Sequence, residues 1–280
     1  MRILTIVLLQ LYCFANILPK SNIRAPITES KSLNMSEERF HSLIDKVILS
    51  YQDIFKLYGA KNFNVFREWE NSQVNAATRK KNGNFEMIVY GGLARFEPLT
   101  DDGFLLVLCH EVGHLIGGAP TYKPLNDASS EGQADYFSTS KCFKKLMSNE
   151  KISISSKDDY DPLALSKCEE SYDKKSHDYK VCLRASRAIE SLSTTIAKLS
   201  GLKSVPQFDT PDPYVRRLIL FNGYPTEQCR IDTAFAGSLC PKDYSDLNDM
   251  ALYNKGNCSV PGGDFLGLRP RCWYVPREDN

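Results

Sequence analysis

Between Ser36 and Tyr58 the apolar residues Phe40, Leu43, Ile44, Val47, Ile48, Tyr51, Ile54, Phe55 and Tyr58 recur with a helical period, separated by charged positions. Ser36 stands where an N-cap belongs, Glu37 and Glu38 favour the first turn, and Gly59 ends the pattern. An amphipathic helix is expected here, packed behind the next one. Residues 62–92 read as strands, with Asn82-Gly83 as a hairpin turn between residues 74–78 and 85–90. Residues 104–116 are apolar almost all round, which predicts a buried helix, capped by Thr100 and stopped by Gly117-Gly118 and Pro120. Another helix is expected from Ser129 or Ser130 to about Met147. Residues 148–161 then read as loop, and residues 162–200 as helix with a polar break at 174–178. Residues 205–228 read as loop around an apolar piece, 215–221. The fold class this predicts is α+β: a mainly helical core under a small, mostly antiparallel sheet.

The buried helix carries the chemistry. Cys109-His110-Glu111-Val112-Gly113-His114 contains His-Glu-x-x-His. Residues four apart share a helix face, so His110 and His114 can turn both imidazoles toward one ion, and Glu111 can serve as general base. No histidine follows closely, so a third ligand must be another residue type. Glu131, in Glu131-Gly132-Gln133-Ala134-Asp135, is the candidate, leaving one position for water or substrate. Asp135, four residues on, is placed to accept from the free ring N–H of a ligating histidine, His110 first. The cofactor implied is one Zn2+ per chain. His41 and His177 read as surface histidines.

His-Glu-x-x-His followed by Glu-x-x-Ala-Asp resembles the gluzincin metallopeptidases, and among them the CAAX prenyl protease and HtpX type, the family-48 metallopeptidases. Val74-Asn75-Ala76 resembles that family's Asn-Ala strand, which lines the substrate cleft. Tyr224-Pro225, with Arg230 beyond, resembles its late His-Pro…Arg segment. The resemblance covers about residues 35–235 and implies a zincin-like fold and zinc-dependent hydrolysis of peptide bonds. Asn75 and Ala76 would bind substrate, Arg230 would support the acids of the site, and Tyr224, where the family has histidine, would donate to the oxyanion. An exported binding or chaperone-like protein with an inert or structural zinc site is the competing expectation.

Composition narrows the partners. A net charge of +1 and no basic tract give no reason to expect nucleic acid, so a peptide or protein substrate is the expected partner. Arg2 followed by a mostly apolar run over residues 3–15 reads as a secretory signal peptide over residues 1–15. A lipoprotein signal using Cys13 is disfavoured by the bulk of Tyr12. Residues 16–34 are then expected as a flexible leader, 35–255 as the metallopeptidase domain and 256–280 as a disulfide-linked tail. No other apolar run is long enough to span a bilayer, so the mature chain is expected without a membrane span, although many of the resembled enzymes have several. Nine cysteines, one of them Cys13, leave an even number for disulfides in a secreted or periplasmic protein. Short loops favour Cys168–Cys182, Cys229–Cys240 and Cys258–Cys272, with Cys109 structural rather than catalytic.

Overall fold

A computed structural model describes residues 15–16, 18, 21–27, 35–122, 127–154 and 156–277. The signal-peptide expectation lies outside these residues except at Ala15. In chain order the elements are β1 (Ala15–Asn16), α1 (Glu37–Leu57), β2 (Phe63–Glu68), β3 (Ala76–Lys81), β4 (Asn84–Tyr90), α2 (Gly91–Arg95), α3 (Asp101–Ile116), α4 (Glu131–Phe137), α5 (Lys144–Met147), α6 (Pro162–Ser171), α7 (His177–Ser200) and α8 (Glu227–Leu239). A π-helical turn, Ser138–Phe143, joins α4 to α5 into one continuous rod. The fold is α+β.

α1 forms for the reasons its sequence gives. The Ser36 hydroxyl accepts from the Arg39 N–H at 3.1 Å, and Phe40, Leu43, Ile44, Val47, Tyr51 and Phe55 bury the stripe. α3 is the centre of the molecule. Thr100 caps it through the Gly103 N–H, and every residue from Gly103 to Ile116 is buried. It packs against α1, β3, α4 with its π turn, and α7. At its solvent end the Arg184 guanidinium holds Asp102 with bonds of 2.7 and 2.8 Å.

The sheet order is β1-β3-β4-β2. β3 and β4 form the antiparallel hairpin, with Asn82 and Gly83 both at positive φ (53° and 79°), as a primed turn requires. β2 pairs with β4 in parallel, so the sheet is mixed: two of its three strand pairings are antiparallel, as expected, and one is parallel. Direction alternates through β2, β3 and β4. The chain then lays β4, not β3, beside β2, and two strands one removed in an alternating series run the same way. Ahead of α1, β1 pairs with β3, and the Ala25 N–H donates to the Ser72 carbonyl at 2.9 Å.

The disulfides are Cys109–Cys142, Cys168–Cys182, Cys229–Cys272 and Cys240–Cys258. The expected Cys229–Cys240 and Cys258–Cys272 pairs are not formed. Cys229 and Cys240 sit near opposite ends of the helix α8, too far apart to be bridged, and the C-terminal tail folds back to meet each of them separately. That tail has no regular structure, yet it contributes the fully buried Trp273. His177 is not solvated as expected: it opens α7 and its Nε2 lies 2.9 Å from the Met147 carbonyl. His41 is half-exposed beside Glu37.

Candidate metal centre

Two buried helices bring the centre together. α3 supplies His110, Glu111 and His114, and α4 supplies Glu131 and Asp135. They approach closely because Gly113 faces α4: a Cβ there would lie 2.9 Å from the Ala134 Cα. Ser130 occupies the N-cap position of α4, but its hydroxyl makes no capping bond, so neither serine caps as expected. The Ser129 hydroxyl is bonded instead to the Gly118 carbonyl at 2.8 Å.

The hydrogen bonds fix which ring nitrogen carries hydrogen. His114 Nδ1 lies 2.8 Å from the Ser129 carbonyl, which can only accept, so Nδ1 is the donor. His110 Nδ1 lies 2.7 Å from Asp135 Oδ1, and that carboxylate is gripped on both oxygens by Arg230, with bonds of 2.8 Å from Nε and from Nη2. Burial opposes the charge on Asp135, but Arg230 and His110 hold its carboxyl well below the usual range, so it too accepts. In their neutral forms both imidazoles therefore present a bare Nε2, and the two lie 2.9 Å apart. Glu131 Oε2 is 3.3 Å from His110 Nε2, and Oε1 is 3.6 Å from His114 Nε2.

Three electron-rich atoms facing one another in a dry interior favour a shared cation, a proton or a metal ion. Burial works against a proton on His110, yet Asp135 and Glu131 raise its pKa to about 9, whereas burial drives His114 down. One proton cannot serve all three atoms, and Glu131 Oε2 is buried with no hydrogen-bond partner. A metal ion can serve all three. Ligand atoms 2.0–2.1 Å from an ion at tetrahedral angles lie about 3.3 Å from one another, which matches the spacing here. Among the described residues, His110, His114 and Glu131 form a group that could hold a metal ion, and a tetrahedral ion held by all three would keep one position open.

Other expected residues take up distinct places. Glu111 is fully buried, and Thr78 of β3 donates to its Oε2 at 2.8 Å. Arg230 Nη2 is 4.0 Å from Glu131 Oε2, so its fork spans both acids of α4. Tyr224 is half-exposed with the Arg230 guanidinium 5.9 Å from its ring, which ties it to the centre through that arginine. Asn75 and Ala76 are buried at the head of β3. The Asn75 side-chain oxygen accepts from the Ala76 N–H at 2.9 Å, and its carbonyl accepts from the Tyr90 N–H.

Three partners had no signature in the sequence. The Tyr122 phenol donates to Glu131 Oε1 at 3.0 Å while its ring stacks on His114. Thr78 and the Ser129 carbonyl are the others. The tail supports the centre from behind: a Cβ at Gly132 would lie 2.2 Å from the Trp273 ring, so indole packs directly on the helix turn that carries Glu131. The four disulfides fit an oxidising compartment, and no helix among the described residues is long and apolar enough to cross a membrane. No protein-family model, curated protein or solved structure matches the chain.

Proposed function

We propose that this protein is a zinc-dependent metallopeptidase of the gluzincin type. The observation that carries the reading is the convergence of two bare Nε2 atoms and the orphaned Glu131 oxygen, with a fully buried Glu111 between the histidines in sequence. Two imidazoles and a carboxylate form a donor set suited to zinc, and a three-ligand site with an open position suits catalysis. A bound zinc ion supplies Lewis acidity toward a water molecule and a carbonyl oxygen. Glu111, oriented by Thr78, takes a proton from the attacking water and delivers it to the leaving nitrogen. Asp135 and Arg230 set the His110 tautomer. Tyr122 holds one Glu131 oxygen. Tyr224, at the exposed margin, is the candidate donor to the oxyanion.

The burial of the whole cluster favours one other reading, an exported binding protein whose metal is inert. Metal analysis combined with cleavage of a quenched-fluorescence peptide library separates the two. The expected result is one zinc per chain, cleavage abolished by chelator and restored by zinc. Glu111→Gln should retain the metal and lose nearly all turnover. Full zinc occupancy with no cleavage of any peptide would establish the binding reading instead.

A further inference from the structure

We propose that Tyr122 is a positioning residue that makes Glu131 a one-oxygen ligand, and that it thereby sets which divalent ion the centre prefers. The inference rests on the zinc reading of the centre and deepens it, but it does not depend on peptide cleavage. The two oxygens of Glu131 are not equivalent. Oε1 accepts from the Tyr122 phenol at 3.0 Å and stands 3.6 Å from His114 Nε2. Oε2 has no hydrogen-bond partner, stands 3.3 Å from His110 Nε2 and has Arg230 Nη2 4.0 Å away. A phenol keeps its proton at neutral pH, so Tyr122 is the donor and Oε1 the acceptor. A carboxylate oxygen that already receives a hydrogen bond is the weaker ligand of the two. Oε2 is therefore the ligand atom, and Oε1 is held back.

Tyr122 is fixed in place by backbone as well as by its side chain. Thr121 bridges to Ser129, antiparallel, and the Tyr122 N–H donates to the Ala128 carbonyl at 2.9 Å. Ser129 is itself locked to His114: its N–H donates to the His114 carbonyl at 2.9 Å, and its carbonyl accepts from His114 Nδ1 at 2.8 Å. Lys80 of β3 steadies the return arm by donating to the Asp127 carbonyl at 3.2 Å. The Tyr122 ring lies along the His114 ring, with centroids 6.3 Å apart and planes 26° from parallel. One short ribbon thus orients His114 and Glu131 together. The consequence is chemical. Two imidazoles and a single carboxylate oxygen leave a tetrahedral ion one position for water, the arrangement zinc favours in catalytic sites. A carboxylate that turned both oxygens to the ion would add a bond and crowd that position. Mn2+ takes more oxygen ligands than zinc and gains from such chelation. The Tyr122 hydrogen bond therefore weighs against Mn2+ as well as for an open site.

The test uses the full chain with Tyr122→Phe, which removes the hydroxyl and keeps the ring, and Tyr122→Leu, which removes both and still keeps water out. Each protein is loaded with Co2+, whose visible absorption is strong in a tetrahedral site and weakens as ligands are added. The ratio of zinc to Mn2+ affinity is measured by competition, with no peptide present. In Tyr122→Phe the cobalt absorption should fall about twofold and the zinc-to-manganese ratio about tenfold. Tyr122→Leu should behave in the same way. An unchanged spectrum and ratio in Tyr122→Phe overturns the proposal and leaves the metal centre standing. A change confined to Tyr122→Leu assigns the effect to ring stacking and overturns it too, as does a folded Tyr122→Phe protein that binds no metal. A wild-type protein that binds none of the three ions sinks the zinc reading and this inference with it. The expected cobalt and manganese shifts, in a protein that cleaves no member of the peptide library, keep the role of Tyr122 and sink the peptidase alone.

Discussion

The Asp135 carboxylate has three tasks at once: it orients His110, neutralises Arg230 and keeps a proton-accepting oxygen in a dry interior. Asp135→Asn keeps the shape but can present a donor to His110 Nδ1, which upsets the tautomer. Metal affinity should fall about 10–100-fold, as measured by competition with a chromophoric chelator, and less than in Glu131→Ala, which removes a ligand outright. A larger effect at Asp135 than at Glu131 would reverse their roles. Protonation gives a second handle. The pKa of His110 is raised to about 9, above its ordinary imidazole value, so in the metal-free protein this group contributes stability below about pH 6.5 that is lost as pH rises through 9. Zinc requires the same Nε2 bare, so its apparent affinity should rise about tenfold per pH unit over that window. The melting-temperature gap between zinc-loaded and chelator-stripped protein should therefore widen from pH 6.5 to 9; a constant gap would show that no proton is displaced. At the exposed margin, Tyr224→Phe should lower turnover about 10²–10³-fold with little change in KM, since an oxyanion donor acts mainly in the transition state. The cluster itself was legible because two histidines and a glutamate on an apolar helix have no other comfortable explanation. Tyr122, Thr78 and the Ser129 carbonyl were not. One tyrosine among fourteen has no distinguishing context, and a backbone carbonyl has no letter in the sequence.

At the level of elements, the close approach of α3 and α4 is the critical dimension, because ligands on two separate helices must reach one point within a few tenths of an ångström. Gly113→Ala places a methyl group 2.9 Å from the backbone of Ala134 and must push the helices apart. The expected cost is about 1–3 kcal/mol in chemical denaturation, together with a loss of zinc stoichiometry, as for overpacking of a close-packed interface. The Cys109–Cys142 disulfide ties α3, one residue before His110, to the π turn that continues α4. Helix limits followed from caps and periodicity: Ser36, Thr100 and Gly59 all stand at the ends they predict. Sheet order did not, because alternating apolar residues specify which face of a strand is buried and not which strand lies beside it. The hairpin at Asn82-Gly83 was readable, being local. The parallel β2–β4 pairing was not, being a matter of how residues 69–75 route the chain.

Across the whole molecule, the C-terminal tail is part of the site's foundation and not an outer cover. Trp273 lies on Gly132, Arg269 bonds Gln133 at 2.9 Å, and the Tyr136 hydroxyl donates to the Gly267 carbonyl at 2.5 Å, so α4 is braced on successive turns. Trp273→Ala should cost about 3–5 kcal/mol and weaken zinc binding as well, which titration of the folded variant would detect. Short-loop reasoning paired the tail cysteines within themselves because it had no knowledge of this docking. The pairs formed, Cys229–Cys272 and Cys240–Cys258, pin both halves of the tail to α8. Thiol titration of the denatured, unreduced protein should find no more than one free cysteine. The order of synthesis gives the docked indole a further meaning. Trp273 emerges from the ribosome long after the helices that carry the histidines and glutamates, and its neighbour Cys272 must find Cys229 before the brace is locked. The bracing of the helix that carries Glu131 is therefore completed last, once Cys272 has met Cys229, and on the proposed function any hydrolytic competence would arrive only with it.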